Sequence, residues 1–382
     1  MNALTRALSG VLAVALASYA SLGSSQASAG PTHRAAVQRV LDRLTGEDGG
    51  PGALAEIRDR TGVTKLTSGL ADLRTGAPMT DDVRFRIGSM TKPFVATVVL
   101  QLVGEHRVAL DAPLERYLPA VVRGNGNDGR RVTVRNLLQH TSGLPDYLTY
   151  LTPPDILADR YAHHDPTELL GIALAHPRLF EPGAKGRWSY SNTNYLLAAM
   201  LIEKVTGHAY GAEIKRRIIV PLELDSTSVP GDAFDIPEPH PRGYARPAPG
   251  AEPIDVTEFN PSVAAGSGDM ISDATDVSRF LDALLRGRLL HPAQLAEMTH
   301  TRKTGLADHS SYGLGLFAWP LPCGGVYWGH PGDVLGFQTT TGITTGGRQA
   351  TVMVNLDPGG TDAQDADIQA AVTTALCAPT RS

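Results

Sequence analysis

Apolar and polar positions divide the chain into three stretches with different periodicities. Pro51 to Asp59 and Val63 to Ala71 are short runs on either side of the turn-like Arg60-Thr61-Gly62, and they predict an N-terminal β-hairpin. An apolar run follows Ser89, passes through Val98 to Val103 and stops near Gly104, as a buried helix would. The middle reads as helix and loop, with helical spacing over Val134 to Gln139, Glu168 to Ala175, Thr193 to Thr206 and Asp276 to Arg286. Gly207 is a helix stop, and the proline-rich stretch Pro230 to Pro253 reads as a long surface loop. From Ser311 the pattern returns to strands: Tyr312 to Phe317, Gly325 to Trp328, Gly336 to Thr341 and Ala350 to Asn355. Asp362 to Leu376 closes the chain as a helix. Strands at both ends with helices between predict an α+β (α/β) fold. One antiparallel β-sheet is built from both chain ends and flanked by helices, with a mainly helical region inserted. The boundaries expected are an α/β lobe over about residues 30–90 and 300–382 and a helical lobe over about 91–299.

The first 29 residues have a different character. Arg6 precedes a short apolar region from Leu8 to Leu22, and Ala27-Ser28-Ala29 is an A-x-A cleavage site before Gly30. The apolar region is too short and too interrupted by Ser9, Gly10, Ser18 and Ser21 to form a stable membrane anchor. These features predict a signal peptide over 1–29 and a secreted protein. The net charge of −5, with basic residues scattered, gives no footprint for nucleic acid or a membrane surface. Cys323 and Cys377 are the two cysteines; in an exported protein they fit one disulfide, with two buried thiols as the alternative. The pair His163-His164 has no third ligand at metal spacing, and His140 is read as fixing its own loop by hydrogen bonding.

Three short clusters carry chemistry. In Ser89-Met90-Thr91-Lys92 the serine and lysine are neighbours on one helical face, so a weak nucleophile has a base within reach. In Tyr190-Ser191-Asn192 a phenol and an amide project from one side of an extended turn, where a proton relay and an orienting group could stand. Gly329-His330-Pro331-Gly332-Asp333 ends a strand, and its backbone could donate an oxyanion N–H together with that of Ser89.

The order S-x-x-K, Y-x-N, H-x-G resembles the penicillin-recognising serine hydrolases. Tyrosine at the head of the second motif is similar to the class C β-lactamase and secreted D-alanyl-D-alanine carboxypeptidase branch. The resemblance extends to Phe85-Arg86-Ile87-Gly88, His140 to Leu144, Leu201 to His208 and Tyr312 to Leu316, and so covers nearly all of the chain after the leader. It implies Ser89 as the acylated nucleophile, Lys92 and Tyr190 as the proton-transfer pair, and Asn192 holding Lys92 and the substrate amide. His330 becomes the electrostatic partner of Tyr190, and the N–H groups of Ser89 and Asp333 the oxyanion hole. The implied reaction is acyl transfer with no metal or organic cofactor, on a small peptide, ester or amide, a peptidoglycan stem peptide or a β-lactam.

Two departures bear on the substrate. Carboxypeptidases of this type read H-T-G-T at the third motif, whereas this chain reads His330-Pro331-Gly332-Asp333. They also carry an arginine after Y-G-L-G-L, where this chain has Phe317. Gly332, Asp333 and Phe317 are thus the expected substrate-binding positions. Asp333 repels a free carboxylate about 4 Å away by roughly 1–4 kcal/mol. The expectation is a D-alanyl-D-alanine carboxypeptidase-like enzyme, with an esterase or D-aminopeptidase of the same fold as the enzymatic alternative. A non-catalytic penicillin- or peptidoglycan-binding module is the alternative from another class.

Overall fold

The structure is a computed structural model that describes residues 31–377 apart from 152, 249 and 360. The leader expected over 1–29 lies outside these residues. No helix among the described residues is long and apolar enough to cross a membrane.

The elements that position the site are, in chain order, α1 (Pro31–Gly46), β1 (Gly52–Asp59), β2 (Gly62–Asp72), α2 (Thr91–Gly104), α3 (Asn192–Thr206), α4 (Ala274–Leu285), β3 (Phe317–Pro320), β4 (Val326–Gly329), β5 (Pro331–Val334), β6 (Phe337–Thr344), β7 (Gln349–Val354) and α5 (Asp362–Leu376). The strands form one antiparallel sheet in the order β3-β4-β6-β7-β1-β2, extended at both edges by two-residue strands. The N-terminal hairpin therefore joins the C-terminal strands through the pairing of β1 with β7, as the strand pattern predicts.

Each face of the sheet buries a separate apolar layer. On one side α1 and α5 pack Val37, Leu41, Leu44, Ile368 and Val372 against Ala53, Ala55, Val352 and Val354. On the other side lie α2, α3 and α4. Helix α2 is apolar on all sides, which suits the centre of the molecule, and Phe94 stacks on Phe280 at 3.6 Å. Asp273 and Thr361 cap α4 and α5 by accepting from Asp276 N–H and Gln364 N–H. Helix α4, which the pattern assigns to the inserted region, in fact lies against β1, β6 and β7.

Two local features depart from the pattern. Tyr312 to Phe317 is not one strand, because Gly315 takes φ +88° and a Cβ there would meet Ala96 Cβ at 2.6 Å. Pro331–Val334 is a strand despite its proline and glycine. Its pairing, Pro331 with Thr340, keeps the register of β4, Tyr327 with Thr344, so β4 and β5 are one strand interrupted at His330. There the Thr341 hydroxyl donates to His330 O at 3.1 Å. Cys323 and Cys377 form a disulfide with a Cα–Cα distance of 5.7 Å, tying the β3–β4 turn to the end of α5.

Candidate active site

Ser89 sits in a 3₁₀ turn, Gly88–Met90, that leads directly into α2. The turn is pressed against β5. Gly88 has φ +49°, and a Cβ on it would lie 2.8 Å from Asp333 N. A Cβ on Gly332 would lie 2.0 Å from the Ile87 carbonyl oxygen. Only glycine at both positions lets the strand backbone come this close to the serine.

Lys92, in the first turn of α2, is completely buried. Its Nζ lies 2.8 Å from Ser89 Oγ, 2.8 Å from Asn192 Oδ1 and 2.8 Å from the Ser267 carbonyl oxygen. The last two oxygens can only accept. A neutral amine has two N–H donors and one lone pair, so its protons go to Asn192 and Ser267 and its lone pair faces the Ser89 hydroxyl. Burial lowers the Lys92 pKa to about 7, while the carboxylates of Asp146, Asp333 and Asp269 pull it back up. The arrangement can therefore hold a free base beside a serine at neutral pH.

Asn192 is the first residue of α3, and its Nδ2 donates to Asp146 Oδ2 at 2.9 Å. Asp146 thereby fixes which way the amide faces. The half-buried Tyr190 hydroxyl is in hydrogen-bonding contact with Ser89, and the Tyr190 ring lies 4.7 Å from Lys92 Nζ. Desolvation raises the Tyr190 pKa well above that of a free phenol, so the hydroxyl keeps its proton and can pass one on only through Ser89 or substrate.

His330 is brought to the same cleft, yet its ring nitrogens are used elsewhere. Nδ1 lies 2.6 Å from Pro331 O and donates to it, which leaves Nε2 to accept from Tyr312 OH at 3.0 Å. Its ring centroid is 6.1 Å from that of Tyr190. Burial, with a further push from Lys92, lowers the His330 pKa to about 3, so the imidazole stays neutral. Phe317 is almost completely buried and stands edge-on to His330 at 5.1 Å, so it touches the site through that ring rather than lining it openly. Gly332 contributes backbone alone. The Asp333 carboxyl is exposed to solvent but crowded at its base. That partial desolvation, with the charge of Asp365, pushes its pKa up to about 6, while a hydrogen bond from Gln338 and the Lys92 ammonium pull the other way.

Several residues of the site carry no motif signal. Asp146, the Ser267 carbonyl and Tyr312 do their work through folded geometry, and only the Tyr312-to-Leu316 run hinted at the last of them. His140 accepts at Nδ1 from Ser191 N–H at 3.2 Å and lies 3.1 Å from Asn194 Nδ2, tying its loop to the start of α3. Its ring also lies against that of Tyr190, tilted by 31° with centroids 4.3 Å apart.

Comparison with known proteins agrees with this geometry. Residues 37–375 match the family described as Beta-lactamase. Esterase EstB of Burkholderia gladioli is 30% identical over 70% of this chain and 78% of its own length. The solved structure of a D-stereospecific amidohydrolase from Streptomyces sp. is 42% identical with a TM-score of 0.80, covering 88% of this chain and 98% of that one. The D-amino acid amidase from Ochrobactrum anthropi SV3 complexed with D-phenylalanine is 30% identical with a TM-score of 0.78, covering 91% and 98%. The chain belongs to the beta-lactamase family and is a serine hydrolase.

Proposed function

We propose that this enzyme is a D-stereospecific amidohydrolase that cleaves amides of D-amino acids or of peptides with a free N-terminal D-residue. Ser89 attacks the substrate carbonyl as Lys92 takes its proton, and the N–H groups of Ser89 and Asp333 receive the developing oxyanion. Tyr190 relays the proton from Lys92 to the departing amine, and Asn192 holds Lys92 and the substrate amide. Water then deacylates the enzyme by the same route in reverse. His330, neutral and bound at both nitrogens, shapes the cleft wall. Phe317 supports it from behind, and Gly332 lets the strand that carries Asp333 close on the serine turn.

The observation that carries this reading is the Asp333 carboxylate, one residue past the glycine that packs on the serine turn. It attracts an ammonium group and repels a free carboxylate, and no arginine stands at Phe317 to reverse that preference. The solved relatives named for D-amino acid substrates point the same way. Among the alternatives, these facts favour the amidohydrolase over the D-alanyl-D-alanine carboxypeptidase. An esterase activity at the same serine remains compatible with the acyl-enzyme chemistry.

The test is competitive hydrolysis of D-phenylalanine amide, L-phenylalanine amide, N-acetyl-D-phenylalanine amide, a peptide ending in D-alanyl-D-alanine, and a short acyl ester. Preference for the free-amine D-amide is expected. Selective turnover of the free-carboxylate peptide would sink the proposal. A folded protein that forms no Ser89 adduct with any acyl donor or penicillin would point to a binding module instead.

A further inference from the structure

A second concave site lies at the end of the sheet away from the serine. The turn between β1 and β2, the second half of α4, the helix Pro292–Thr299 and the turn between β6 and β7 enclose a groove of about 860 Å³. Asp333 pairs with Gln338 on β6, whereas the groove meets β6 at Ile343 and Thr344. Five to six residues of strand separate the two positions, or roughly 17–20 Å. The groove is therefore distinct from the catalytic cleft.

Its lining runs against the charge of the molecule. The chain carries a net charge of −5, yet the groove holds Arg58, Arg60, Arg279, Arg286 and Arg288 against only Asp59 and Asp282. Asp282 accepts from Arg286 Nε at 2.6 Å and Arg288 Nη2 at 2.9 Å. Both arginine side chains remain more than half exposed, at 63% and 57%, so most of their donors face solvent. Arg58 spends Nη2 on Glu56 at 3.1 Å, and its buried Nε has no partner among the described residues. A forked array of this kind matches the oxygens of a phosphate group.

A simple anion would leave one feature of the lining unanswered. Gln349 is 3% exposed and lines the groove, and its Oε1, almost sealed from solvent, has no hydrogen-bond partner among the described residues. That oxygen needs a donor, which an ionised phosphate does not offer but a hydroxyl does. The half-buried Trp328 adds an apolar surface for C–H groups. We propose that this groove binds a polyol or sugar phosphate, with the arginines holding phosphate oxygens and Gln349 accepting from a ligand hydroxyl.

Isothermal titration of the full chain with inorganic phosphate, glycerol 1-phosphate and a poly(glycerol phosphate) chain tests this. Glycerol 1-phosphate should bind at least about tenfold more tightly than inorganic phosphate, the margin of one good hydrogen bond to a charged or buried partner. Arg60 and Arg279 are exposed, so the double variant Arg60→Glu/Arg279→Glu should fold. It should hydrolyse substrate as the parent does, and should bind all three probes about tenfold or more weakly. Gln349→Leu should erase the margin between glycerol phosphate and inorganic phosphate while leaving inorganic phosphate binding intact. Tighter binding of the polymer per repeat unit would identify a chain as the ligand, and equal binding a free metabolite. Glycerol phosphate binding no tighter than inorganic phosphate overturns the proposal. So does unchanged affinity in the charge-reversed variant, a result that stands even if Gln349→Leu does not fold.

Discussion

Below a pH of about 7 Lys92 gains a third proton, and the lone pair it offers Ser89 disappears. The sign is that of a base that works neutral. Acylation of a simple ester should fall about tenfold per pH unit below 7 and level off above it, as read from kcat/KM profiles. Amine-bearing substrates should show a second limb that the ester lacks. Asp333 is charged above about 6, but the substrate α-amino group loses its own charge near pH 8, so KM for D-amino-acid amides should rise there. Asp333→Asn should raise that KM about tenfold and leave ester hydrolysis nearly unchanged, because the backbone N–H is retained and only the charge is lost. Equal effects on both substrates would remove Asp333 from amine recognition. At this scale the sequence displayed residues whose spacing is local, such as Ser89 with Lys92 and Tyr190 with Asn192. Asp146 and the Ser267 carbonyl could not be read, because each meets its partner only after long stretches of chain are folded together, and Tyr312 was legible only as part of the Tyr312 to Leu316 run.

The strand that carries Asp333 is placed by what its glycine lacks. In Gly332→Ala the new methyl would sit 2.0 Å from the Ile87 carbonyl, a backbone atom that cannot turn aside. The strand must withdraw from the serine turn, and the proposed oxyanion donor goes with it. Hydrolysis should drop by about 10²–10³ while binding of a penicillin or substrate analogue weakens less, a split read from kcat against KM. Elements with strong periodicity were legible almost to the residue: the hairpin of β1 and β2, the apolar α2, α3 with its stop at Gly207, and α5. The elements missed had weak or misleading signals. Pro331–Val334 looks like a loop by composition, and it is a strand because β6 extends beyond β4 and supplies the pairing. The stretch Tyr312 to Phe317 looks continuous, and the left-handed Gly315 breaks it where it passes beneath α2. The helix Pro31–Gly46 does carry a readable apolar stripe at Val37, Val40, Leu41 and Leu44, which the hairpin next to it overshadowed.

For the molecule as a whole, the Cys323–Cys377 bond closes a loop across 54 positions between a sheet turn and the final helix. In the chain-entropy account such a loop stabilises the fold by roughly 4 kcal/mol. The double variant Cys323→Ala/Cys377→Ala should therefore melt several degrees lower and unfold at lower denaturant, yet hydrolyse substrate normally at room temperature. Lost activity in a folded variant would show that the bond also shapes the cleft. The sheet topology has a consequence of a different kind, in time. Ser89 and Asp333 are 244 positions apart, and β1 has no partner on its β7 side until the last strand exists. At about 5–20 residues per second, the serine and its lysine emerge from the ribosome roughly 10 to 50 s before the strand that completes the oxyanion hole. Until Asn192, Ser267 and then that strand have followed, Ser89 has neither a buried neutral lysine beside it nor its proposed second oxyanion donor, so on this reading hydrolysis waits until synthesis is almost finished.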